Sequence, residues 1–174
     1  MKPRFFLSLS ALFFSSVFAG GCLAQETSLV KLPGVAVAVN NTDMNDGIAS
    51  ASPNVVKVFD SYFKNASDLR WAKVDKNYFV SFRMNGQQNT ALFKKNGYLI
   101  NHVCYSNEQN LPADIRKMIK THPDYLDYKI THVWNIKQDK RDVWAAYLES
   151  NNDFVLVSLE SGMLEEVKRM NKQK

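Results

Sequence analysis

The side chains able to do chemistry are few in this 174-residue chain, and their spacing is poor for catalysis. It carries three histidines, His102, His122 and His132, and none stands at a metal-ligand interval from another His, Cys or Glu. His102 and Cys104 alternate on one side of an expected strand, so a metal pair is conceivable, but an ordinary strand pair is the simpler reading. They are also too close in sequence to face each other across a cleft as base and nucleophile. There is no Gly-x-Ser-x-Gly. Glu165 and Glu166 are adjacent, which on a strand sends them to opposite faces and rules them out as an acid/base pair. Beyond the first 24 residues the glycines are Gly34, Gly47, Gly86, Gly97 and Gly162, too dispersed to cradle a phosphate. Asn40-Asn41-Thr42 and Asn65-Ala66-Ser67 match the glycosylation sequon and read as chance. No catalytic residue, metal or cofactor is expected, and the chain reads as a non-enzyme.

What remains is a set of aromatic and aliphatic side chains, and the elements that must present them. Ser52-Pro53 is a good helix opening, and Val55, Phe59, Tyr62 and Phe63 recur at helical spacing, which predicts a helix over about 53–64. Strands follow. Leu69 and Trp71 alternate with charges, Tyr78 to Met84 alternate through Val80 and Phe82, and Asn85-Gly86 is a hairpin signal. Ala91 and Phe93 continue to a second turn at Asn96-Gly97, and Tyr98 to Tyr105 is a fourth strand. Pro112 opens a second helix with Leu111, Ile115, Met118 and Ile119 as its apolar stripe. Strands return at roughly 126–138, 142–149, 153–160 and 163–169.

Shifting the second half back by 65 residues lays Gly162 on Gly97, Tyr147 on Phe82, Trp144 on Phe79 and Leu156 on Ala91. The expected fold is therefore α+β, a tandem repeat of one helix plus a four-stranded antiparallel sheet, over about 53–106 and 111–170, with the helices packed on one sheet face. In that register Tyr78, Val80, Phe82, Ala91 and Phe93 face the helices. The opposite face carries Phe79, Ser81 and Arg83, and in the second copy Trp144, Ala146 and Leu148. Phe79, Arg83, Trp144 and Leu148 are the candidate partner-binding residues, because mixed aromatic, aliphatic and Arg side chains suit protein recognition. The alternatives are that the two copies pack there, or that the second copy's register is inverted.

The N-terminus is built for export. Met1-Lys2-Pro3-Arg4 is a short basic stretch, and Phe5 to Phe18 is uncharged and apolar, too short for a membrane-spanning helix. Ala19-Gly20-Gly21-Cys22-Leu23-Ala24 then offers cleavage before Gln25, so 1–24 read as a signal peptide. Ala19 to Cys22 also form a degraded lipobox, which would lipidate Cys22 and tether the protein to the envelope; both outcomes stay open. Residues 25–51 read as a flexible leader, with Val35 to Val39 as one short apolar run. The formal charge of +5 drops by two with Lys2 and Arg4. Basic residues are interspersed with acids except at the tail, so there is no nucleic-acid stripe. A membrane partner is expected only if Cys22 is lipidated. Without Cys22, Cys104 is alone, no internal disulfide can form, and the thiol reads first as a small buried apolar group.

Trp71, Tyr78-Phe79-Val80-Ser81-Phe82, Asn85-Gly86, Ala91-Leu92-Phe93, Asn96-Gly97, Leu111-Pro112 and Pro123-Asp124-Tyr125 occur in an order that resembles the PepSY-like domains described as similar to β-lactamase-inhibitor proteins, common in exported proteins of Bacteroidetes-type bacteria. The resemblance spans about 53–170. It implies a helix-plus-antiparallel-sheet repeat and a binding or inhibitory role, supplies no catalytic residues, and lacks the disulfide pairs of the true inhibitors. The expected function is an exported domain binding a protein or peptide of the cell envelope. The alternative is a structural or small-ligand-binding envelope protein with a pocket between sheet and helices.

Overall fold

The computed structural model describes residues 51–172. The expected signal peptide, Cys22 and the leader up to residue 50 lie outside the described residues. Helix α1 spans Pro53–Tyr62 and is followed by strands β1 (Ser67–Val74), β2 (Asn77–Met84), β3 (Gln87–Lys94) and β4 (Leu99–Ser106). Helix α2 (Ala113–Lys120) lies in the connection to β5 (Lys129–Gln138), β6 (Arg141–Glu149), β7 (Asp153–Glu160) and β8 (Met163–Asn171).

Local chemistry explains these boundaries. Ser52 Oγ accepts the Val55 N–H, and Pro53 occupies the first turn of α1, where its missing N–H is harmless. Val55 and Phe59, one turn apart, are its buried stripe. Helix α2 starts after Pro112 without a side-chain cap, and carries Asp114 in its first turn and Lys117 and Lys120 in its last, matching the helix dipole. The hairpins turn where expected. Asn85-Gly86 and Ser161-Gly162 both have positive φ at two successive residues, the twist a two-residue loop needs. Gly97 is different: a Cβ there would lie 3.0 Å from Val58 Cγ2, because α1 rests on this turn, with Asn54 Nδ2 donating to the Asn96 carbonyl at 2.9 Å.

The expected tandem of two four-stranded sheets is wrong. Among the described residues eight strands form one antiparallel sheet in the order β1 to β8, with two α-helices, so the fold is α+β without being a helix-plus-four-strand repeat. The decisive ladder is β4 to β5, from His102 opposite Lys137 to Ser106 opposite Val133. Two separate sheets would each expose an inner edge of unpaired backbone groups, and joining β4 to β5 satisfies both.

Both helices lie on the same side. Helix α1 covers a core of Val55, Phe59, Phe63, Trp71, Val80, Phe82 and Phe93. Helix α2 covers Leu111, Ile119, Ile130, Val133, Leu148, Val155 and Val157. The other side of the sheet holds two further clusters made wholly of strand residues: Ala72, Phe79 and Leu92, and Val103, Trp134, Ile136, Ala145 and Leu156.

Candidate functional site

Cross-strand partners share a face, so the pairing assigns every strand side chain to the helix side or the helix-free side. At the centre of the sheet the assignment inverts the usual polarity. On the helix side, β4 presents His102, Cys104 and Ser106, whose neighbours are Asn89 on β3 and Asn135 and Lys137 on β5. On the helix-free side the same strands present Val103, Tyr105, Trp134 and Ile136. A polar seam thus runs between the two helix-covered cores, with apolar surface behind it.

The seam is closely hydrogen-bonded. His102 Nε2 meets Asn89 Oδ1 at 3.0 Å, and Asn89 Nδ2 donates to the Gln87 carbonyl at 2.9 Å. Gln87 Nε2 donates to Ser106 Oγ at 2.9 Å, while Cys104 Sγ donates to Gln87 Oε1 at 3.3 Å. Asn135 Nδ2 donates to Asp142 Oδ1 at 2.5 Å. Phe63 packs against the His102 ring at 4.8 Å between centroids. Burial, with the nearby Lys137 charge adding to it, lowers the His102 pKa from 6.5 to about 4, so the ring is neutral at neutral pH. Burial also raises the Cys104 thiol, against the pull of Lys137. A neutral thiol beside a neutral imidazole is the reverse of an activated Cys–His pair. Among the described residues no group of three or more His, Cys, Asp and Glu side chains could hold a metal ion.

Beside this seam opens a cleft of about 370 Å³ lined by the Asn85, Gln87, Asn110 and Asn135 amides, Ser106, Cys104 and Trp144. Cys104 is therefore half-buried among polar groups and not an apolar filler.

On the helix-free face the ring of His132 stacks near-parallel on Trp134, with centroids 6.1 Å apart, and Tyr147 meets Trp134 edge-on at 5.2 Å. Tyr105 lies opposite Trp134, and Val143 lies opposite Ile136. Burial raises the Tyr105 and Tyr147 hydroxyls above their ordinary pKa.

The candidate partner-binding residues separate. Phe79 lies on the helix-free face in its cluster with Ala72 and Leu92. Arg83 shares that face, exposed, 3.8 Å from Asp68. Trp144 and Leu148 do not share it: Leu148 is fully buried under α2, and Trp144 packs against the same core. The second half is thus in the inverted register, because β6 reads Val-Trp-Ala-Ala-Tyr-Leu and is apolar on both faces. Alternation then says nothing about direction, and a one-residue slip exchanges the faces. Trp134, Tyr147 and Tyr105 were overlooked for the same reason. The legible signal is the adjacent pair Val133-Trp134 in β5, apolar side chains on opposite faces as expected of a strand inside a wide sheet.

Of the other histidines, His122 is structural and His132 belongs to the helix-free face. His122 Nδ1 accepts the Asp124 N–H at 3.3 Å and the ring stacks on Tyr125; His132 is exposed.

No protein-family model matches the chain, and no curated protein matches it in sequence. Its fold is similar to that of several solved Bacteroides proteins. A BLIP-like protein from Bacteroides fragilis superposes with a TM-score of 0.60 at 16% identity, over 71% of this chain and 89% of that one. A DUF2874 family protein from Bacteroides ovatus superposes with a TM-score of 0.58 at 18% identity, over 70% and 88%. These likenesses support the inhibitor-like part of the sequence resemblance at the level of fold, and none carries a PepSY description.

Proposed function

We propose that this chain is a non-enzymatic exported domain that binds a protein or peptide of the cell envelope through the helix-free face of its sheet. The observation that carries this reading is the partly exposed aromatic cluster of Tyr105, His132 and Tyr147, packed around the buried Trp134 on a face to which neither helix contributes. Aromatic side chains bring large contact area at little entropic cost, and Tyr, Trp and Arg dominate binding energy in protein interfaces. Phe79 and Arg83 extend the same face toward β2. The raised thiol and neutral imidazole of the seam favour binding over catalysis. The signal-like Met1 to Ala24 supports export, as does the similar fold of a Bacteroides eggerthii protein provisionally described as periplasmic. Lipidation of Cys22 would anchor the domain; cleavage before Gln25 would free it, and the intact mass of the mature protein distinguishes the two.

Pull-down from the native envelope with the wild-type chain, Tyr105→Ala and Tyr147→Ala, both partly exposed positions, tests the face. Leu126→Ser, at an exposed apolar position after α2, is the control. Specific capture should fall at least about tenfold in the first two variants, the loss of one interface anchor of about 1.4 kcal/mol or more, and persist in the control. Equal capture by all four proteins would sink the assignment.

A further inference from the structure

The cleft beside the seam differs in chemistry from both cores that flank it. Its wall is four carboxamides, a hydroxyl, a thiol and one indole, with no charged side chain. We propose that this cleft binds a small neutral sugar, a mono- or disaccharide, independently of the protein-binding face on the other side of the sheet.

Carboxamides carry both donors and an acceptor, and so match hydroxyl groups, which are also both. No lining side chain is charged, and the Lys137 charge felt at Cys104 comes from outside the lining, so an anion would find no direct ion pair there. Two of the four amides are held in place before any ligand arrives: Gln87 by Ser106, and Asn135 by Asp142. The acceptor of Asn135, its Oδ1, and the donor of Trp144, its Nε1–H, have no side-chain hydrogen-bond partner among the described residues. Trp144 packs against the α2 core and also lines the cleft, so it offers a fixed, flat apolar wall. The C–H face of a pyranose ring stacks on such a wall while its hydroxyls reach the amides. The volume of about 370 Å³ lies near the lower end for small-ligand sites. An extended peptide is disfavoured, because β3 to β6 beneath the cleft are paired on both sides and leave no edge to augment.

Cys104 lines the cleft and reports on its occupancy. The full chain is alkylated with iodoacetamide, and modification of the Cys104 peptide is followed by mass, which separates it from Cys22. Glucose, N-acetylglucosamine and chitobiose are the probes; inorganic phosphate and trialanine are the controls. At least one sugar at about 10 mM should slow Cys104 alkylation about threefold or more, while neither control slows it. Trp144→Ala and Asn135→Leu should lose that protection with their circular dichroism spectra unchanged. Should either fail to fold, Ser106→Ala, which removes only a hydroxyl, should weaken protection severalfold. The proposal is overturned if no sugar protects, if phosphate or trialanine protects equally, or if protection persists in a folded Trp144→Ala protein.

Discussion

The two helix-covered cores share a sheet and use different chemistry. Under α1 the core is aromatic: Phe59 touches the rings of Phe63, Trp71, Phe82 and Phe93 at centroid distances of 5.0 to 6.2 Å, mostly edge-on. Under α2 it is aliphatic and β-branched, from Ile130 and Val133 through Val155 and Val157. The aliphatic half is laced by Arg169, which reaches Asp153, Glu166 at 2.6 Å and the Tyr128 hydroxyl at 2.7 Å. Large rings fill volume with few residues and orient one another. Small branched chains suit strand surfaces but leave α2, a helix of eight residues, with less to grip. The charged network ties β7, β8 and the segment before β5 together and supplies the missing constraint.

The largest expected effect tests whether these halves are one unit. Phe59→Ala should destabilise by about 3–5 kcal/mol and Leu148→Ala by about 2–4 kcal/mol, as deletions from sites with essentially no exposure. Because one sheet crosses both cores, urea unfolding followed by tryptophan fluorescence and by circular dichroism should stay a single coincident transition in each variant. Two separated transitions would mean the β4–β5 ladder does not couple the halves.

Next in size is the acid response of the seam between them. The folded-state pKa of His102 is about 4 against 6.5 unfolded, so the fold binds the neutral ring. The stability this gives is complete above pH 6.5 and is lost as pH falls through about 4. After discount for the ring's partial exposure, the loss is about 2 kcal/mol. His102→Gln should flatten the unfolding midpoint across that window; an unchanged slope would show that the titrating group lies elsewhere.

The smallest effect belongs to the charged network. Hydrogen bonds from Ser150, Tyr128 and Arg169 hold Asp153 below its ordinary pKa, and Arg169 does the same for Glu166, helped by Tyr125. Their contribution is present above the ordinary carboxylate range and lost as pH falls beneath it. Arg169→Gln should cost about 1–2 kcal/mol at neutral pH and shrink this lower acid step, which Ser150, Tyr128 and Tyr125 still support in part, leaving the His102 window intact. Chemical denaturation of the variant at several pH values checks both parts.

Much of this architecture was legible in sequence, and the failures have physical causes. Helix α1, the turns at Asn85-Gly86 and Ser161-Gly162 and the face of β2 follow from caps, turn chemistry and clean alternation. The joining of β4 to β5 does not, because pairing between strands 23 residues apart at their nearest ends leaves no local mark. The face of β6 was read backwards because six consecutive apolar residues contain no period. The cleft was invisible as well. Gln87, Ser106 and Asn135 are ordinary residues far apart in the chain, and only strand register brings them together.

Every strand in this sheet pairs with the strand just before or after it in the chain. A polypeptide that emerges end-first, as one threaded through a membrane pore must, can therefore lay down its strands in order of arrival. Each newcomer finds its template already in place and never waits for a distant segment. The longest connection between paired strands runs from Ser106 to Lys129 and contains α2. Assembly of this molecule is a zipper with a single long stitch.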